Sequence, residues 1–139
     1  MSLHPPSEFY KKFREDPEAG KKQAFKLGQD LGRKLVQELN IKGNDLKSIE
    51  TLLNALMGRM TLEAPARIEG DKIIISNRAF CPIMVSSISL NLPWLWLCPN
   101  LSWPFMLGAA SVVNPRISLT VPSWRAKGDP VCDHVFELK

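Results

Sequence analysis

A chain of 139 residues with 45% hydrophobic content suits one domain with one core and excludes wholesale disorder. The formal charge of +4 is mild, and the signs are interspersed along the first sixty residues, which is the pattern of solvated helix faces; a nucleic-acid surface needs a clustered basic patch with aromatics among it. Three widely spaced cysteines are not a secreted disulfide framework.

The opening MSLHPPSEFYKKF is polar and proline-bearing where a secretory leader would be apolar, so the expectation is a cytoplasmic protein. Residues 1–17 read as an extension carrying a short helix, and residues 18–139 as a single domain. The short helix is predicted over Ser7–Asp16. Ser7 is placed to cap it, Phe9 and Phe13 share a face, and Pro17 ends it. Glu18–Asn40 is predicted as a longer helix, because Ala24, Gly28, Leu31, Leu35 and Leu39 recur at helical spacing. Gly28 and Gly32 stand four apart in it. They read either as a place of close helix approach, such as a dimer seam, or as tolerated surface glycines. Asn44 is the expected cap of a third helix, Asp45–Met57, with Leu46, Ile49, Leu53, Leu56 and Met57 turned to the core. Gly58 is expected in the left-handed position just past its end.

The period then changes. Arg67–Phe80 reads as a hairpin turning at Gly70-Asp71, with Ile73, Ile74 and Ile75 suited to a pleated, buried surface. Arg116–Val121 alternates strictly, Lys127-Gly128-Asp129-Pro130 is a turn signal, and Val131–Leu138 is the last strand. Helices first and strands later, with one apolar helical insertion, is an α+β pattern: N-terminal helices packed on an antiparallel sheet.

The insertion lies in Phe80–Asn114, and no charged residue occurs between Arg78 and Arg116. It is long enough to span a bilayer, for which about 20 residues suffice. However, Pro82, Pro93, Pro99 and Pro104 cut it into short pieces, and lipid offers no replacement partner for the backbone groups they free. The stretch is therefore read as buried or pocket-lining, not as a transmembrane segment. A helix is expected over Trp103–Val113, with Ser102 as its cap and Pro104 in its first turn. Ile83–Leu92 reads equally as strand, helix or lid loop.

Two groups of side chains could carry function. Cys132 and His134 share a strand face, and with Cys81 and Cys98 they would form three thiolates and one imidazole, a set that suits zinc. The competing reading is three reduced cysteines filling a core, with His134 a partly buried imidazole; a third has Cys132 or Cys98 as a nucleophile activated by His134. The second group is Trp94, Trp96, Trp103, Phe105 and Met106, which reads as the wall of an apolar ligand pocket, as core, or as a dimer interface anchored by tryptophan. No glycine-rich phosphate loop and no metalloprotease or serine-hydrolase motif occurs. His4 carries no functional reading.

The second half resembles the 4-vinyl reductase family of small-molecule-binding domains. The matching run goes from Gly58 through the hairpin Arg67–Asn77 to Cys81-Pro82, then Leu97-Cys98, Phe105 to Gly108, Ile117–Val121, Lys127 to Cys132 and Val135 to Leu138. That family is related to subunits of the vesicle-tethering transport-particle complexes and, more remotely, to haem nitric-oxide-binding domains. The Gly-Asp-x-x-Cys ending is also similar to that of the aminothiazoline-carboxylate hydrolase family. The resemblance implies an α+β fold around an apolar cavity, a homodimer built from the N-terminal helices, and a sensor or accessory module for a small apolar, hydrocarbon-like molecule. Family members often carry a further cysteine upstream of the Gly-Asp turn, where Ser123-Trp124 stands here. The alternatives are a cysteine-dependent hydrolase and a structural assembly subunit.

Overall fold

The computed structural model describes residues 6–60 and 62–139. Residues 1–5, and with them His4, lie outside that description, as does Thr61. The element order is α1 (Pro6–Phe13), α2 (Pro17–Leu39), α3 (Leu46–Arg59), β1 (Ala66–Glu69), β2 (Lys72–Asn77), α4 (Pro82–Leu90), α5 (Trp94–Leu97), α6 (Trp103–Ser111), β3 (Ile117–Ser123) and β4 (Cys132–Leu138). The expected α+β architecture is what is found: helices against one antiparallel sheet of order β1-β2-β4-β3.

The helix starts follow from side-chain oxygens that accept otherwise unpaired backbone donors. Asp16 accepts from the Ala19 N–H at 3.2 Å, with Pro17 in the first turn of α2. Asp45, not Asn44, caps α3, accepting from the Ser48 N–H at 3.0 Å and the Ser48 hydroxyl at 2.7 Å. Gly58 lies within α3 rather than beyond it, and Met60 follows as the cap. Ser7 is inside α1.

α2 buries Gly20, Ala24, Gly28, Gly32 and Leu35, a stripe of mostly small residues, while Leu39 is exposed. Small residues are needed because α6 crosses at backbone contact. A β-carbon at Gly32 would stand 2.7 Å from the Ala109 carbonyl oxygen, and one at Gly28 would overlap that of Phe105. Of the two readings of this glycine pair, close helix approach is the one found, and it lies within the chain, between α2 and α6.

α3 lays Ile49, Leu52, Leu53, Leu56 and Met57 on the sheet. Each such side chain, fully buried, contributes about 1.5–3 kcal/mol. Asn54 and Glu50 of α3 also cover the β1 edge. Asn54 donates to the Ala66 carbonyl at 3.2 Å and accepts from its N–H at 2.8 Å, and Glu50 accepts from the Ile68 N–H at 3.1 Å. Among the described residues the opposite edge, β3, carries no such helix and pairs only with β4. The β1–β2 hairpin turns at Gly70, whose φ of 65° is left-handed. Ile73, Ile75 and Asn77 stand opposite Phe136, His134 and Cys132, and together they form the buried face.

The uncharged stretch is helical through most of its length. Ile83–Leu92 lies mostly in α4, which closes on Asn91 at φ 54°. α5 runs into α6 through a wide π-helical turn, Cys98–Ser102. Ser102 has helical dihedrals and makes no side-chain cap bond, because the helix enters from upstream instead of starting there. Among the described residues no helix is long and apolar enough to cross a membrane.

Candidate functional site

Two concavities flank Trp103. The inner one is a chamber of about 40 Å³ between the helices and the sheet. β4 brings Cys132 and His134 to it, the start of α4 brings Cys81, and the end of α5 brings Cys98. Trp94, Trp103, Met106 and Trp124 close it. The sulfur-bearing and aromatic residues singled out from the sequence thus largely converge. Trp96 does not join them: it packs on α1, 6.1 Å from the Phe9 ring and 5.1 Å from that of Tyr10. Phe105 is buried core under α2.

The four expected zinc ligands meet around this chamber, but they do not form a coordination set. Among the described residues no group of three or more His, Cys, Asp or Glu is placed to hold a metal ion. All three cysteines are free thiols.

The electrostatics of the chamber also oppose nucleophilic chemistry. Burial pushes the Cys98 thiol up to about 12, countered in part by the nearby Trp124 indole. Cys132 is likewise raised, chiefly by burial, although the Arg125 N–H donates to its sulfur at 3.3 Å. Burial pulls His134 down to about 4, opposed in part by the Ile75 backbone and the Asp133 carboxylate. A weakened imidazole base and thiols raised by burial both run against thiolate formation near pH 7. Among the described residues His134 Nδ1 and Trp124 Nε1 are enclosed without hydrogen-bond partners.

The outer concavity is a groove of about 880 Å³ on the other side of Trp103. Its apolar surface is Phe25 of α2, Trp103, Pro104 and Leu107 of α6, and Leu119 and Val121 of β3. α2 forms one bank, with Lys21, Lys22, Lys26 and Arg33 along it; the open edge of the sheet forms the other. Lys21 pairs with Glu18 at 3.1 Å and Arg33 with Asp30 at 2.7 Å. Among the described residues no ion pair engages Lys22 or Lys26, and both are exposed. No cysteine lines the groove. Sequence reasoning found Trp103 but missed the rest, since α2, α6 and β3 meet only through tertiary packing.

A separate apolar surface lies on and beside α4, where Phe80, Val85, Ile88, Leu90 and Leu95 are exposed, Ile88 by 73%.

No protein-family model matches the chain, and no curated protein does; the 4-vinyl reductase kinship is therefore not shown. Solved structures do match. One is a trafficking protein particle complex subunit 3 from Naegleria fowleri covalently bound to palmitic acid, with 14% sequence identity and a TM-score of 0.58 over 96% of this chain and 87% of that one. At that identity the likeness is one of fold, and the fold of this chain is similar to that of a transport-particle subunit.

Proposed function

We propose that the protein is a non-enzymatic binding module that holds a small apolar, chain-like molecule along the groove between α2, α6 and β3. The observation that carries this reading is the groove itself, whose volume of about 880 Å³ lies in the range of ligand sites and whose surface is aromatic and aliphatic. The palmitate on the transport-particle subunit of similar fold supports a ligand of this kind. The chamber behind Trp103, at about 40 Å³, is too small for such a chain, so the groove is the better location than the space between the aromatic segment and the sheet. A weak imidazole base and a thiol at about 12 favour binding over cysteine-dependent hydrolysis. The unpaired thiols accord with an intracellular setting.

The test uses a neutral probe. Dodecanol added to the purified protein should change tryptophan emission through Trp103 and raise the melting temperature, since a ligand at a hundred times its Kd adds about 2.7 kcal/mol of stability. Leu107→Lys, which places a charge among the groove's apolar side chains, should abolish both responses while leaving the fold intact. Absence of any response in the wild-type protein overturns the reading.

A second reading is an assembly subunit or homodimer. It is favoured by the exposed apolar surface on and beside α4, because contiguous exposed apolar side chains mark interaction sites. Light scattering during size-exclusion chromatography tests it; a monomer at micromolar concentration counts against it.

A further inference from the structure

We infer that the ligand of the groove is a single-chain anion, its negative head held non-covalently between Lys22 and Lys26. This rests on the groove being the binding site, and it adds the class of molecule bound there.

Three observations carry it. First, the charge on the banks is one-sided. α2 supplies four cations to the groove, and no acidic residue lines it. Second, the cations divide into two kinds. Lys21 and Arg33 are already neutralised by Glu18 and Asp30 one turn away on the same helix. Lys22 and Lys26 are four residues apart, so their side chains rise from the same face of α2 as neighbours. They flank Phe25, which turns into the apolar part of the groove. Two unengaged ammonium groups beside an apolar trough fit a molecule with one negative end and one hydrocarbon end. Third, the head must remain free. The related fold carries its palmitic acid covalently, but no thiol reaches this groove: all three cysteines lie at the chamber on the far side of Trp103. A fatty acid here keeps its carboxylate, and the lysines are positioned to meet it.

The experiment compares dodecanoate with dodecanol, which share a chain and differ in the head, on wild-type protein and on Lys22→Gln/Lys26→Gln. The lysines are exposed, so the double variant should fold normally. The wild type should bind dodecanoate about five- to tenfold more tightly than dodecanol at low salt, the product of two exposed ion pairs. Raising the salt concentration should narrow that ratio, and the double variant should reduce it to about one. Acetate at the same concentration should not displace dodecanoate, which separates an amphiphile site from a site for anions alone. Equal affinity for the two probes in the wild type overturns the inference and leaves the groove reading standing. Displacement by acetate also overturns it. Binding of neither probe overturns both.

Discussion

Gly28 of α2 and Gly108 of α6 each sit against the backbone of the other's helix. A β-carbon on Gly28 would overlap the Phe105 carbonyl oxygen, and one on Gly108 would overlap that of Phe25. The two main chains therefore touch, and this contact sets the angle at which α2 carries its lysines past the apolar face of α6. Backbone atoms cannot swing aside as a flexible side chain can. Gly28→Ala should accordingly destabilise the protein by about 3 kcal/mol, through overpacking. Gly58 is the internal control: it is helical and exposed, with nothing within 4 Å of an added β-carbon. Gly58→Ala should stabilise by about 0.5–1 kcal/mol. Urea-denaturation midpoints measure both; equal effects of the same sign would contradict the packing described.

The buried imidazole predicts a pH dependence. His134 has a folded value of about 4 against an ordinary 6.5. Between these the unfolded chain binds more protons than the folded one, so stability is complete above 6.5 and falls as the pH drops toward 4. The loss is at most roughly 3 kcal/mol. His134→Phe should flatten that slope. The carboxyls of Asp45 and Glu50 are held low, by Ser48 and by Lys47, and their contribution is lost in the same direction at the acid end of this window, so the imidazole's share is the part of the slope that the variant removes. An unchanged slope in His134→Phe would refute the assignment.

Thiol reactivity separates binding from catalysis. With its thiol at about 12 and its side chain buried, Cys98 should react with iodoacetamide at pH 7.5 at least about tenfold more slowly in the native protein than in urea. Rapid stoichiometric labelling of native Cys98, read by mass spectrometry, would restore the nucleophile reading.

Much of the fold was legible in the sequence. The strict alternation of Ile117, Leu119 and Val121, the turn at Gly70-Asp71, and the two-residue period that puts Cys132, His134 and Phe136 on one face all describe local geometry, and local geometry is what a pattern encodes. α4 was not decidable because Pro82–Leu90 has no polar face opposite an apolar one, so a helical period leaves no trace. The helix start at Trp103, with Pro104 in its first turn, was placed as found; the π turn that leads into it was not, because Pro99 reads as a break, and so Ser102 continues a helix where a cap was expected. For the site, the sequence singled out the sulfur-bearing and the aromatic side chains as two separate groups; that they share a chamber depends on how α4, α5 and β4 pack. The groove was not readable either: Lys22 and Lys26 look like an ordinary solvated helix face until β3 and α6 are placed beside them.

Ile88 offers a test of the assembly reading that leaves folding alone. It is 73% exposed, so Ile88→Asp should change folding stability by less than about 0.5 kcal/mol. If α4 is an interface, the same change should lower the molecular mass seen by light scattering. A dimer that persists in Ile88→Asp would place the interface elsewhere.

Photo-crosslinking tests the groove most directly. A twelve-carbon alcohol with a diazirine near its chain end is irradiated with the native protein, and the modified residues are identified by mass spectrometry. The account predicts labels on Phe25, on Trp103 to Leu107 and on Leu119 to Val121, all removed by excess unlabelled dodecanol. Competable labels confined to α4 or to the residues around Cys98 would contradict it.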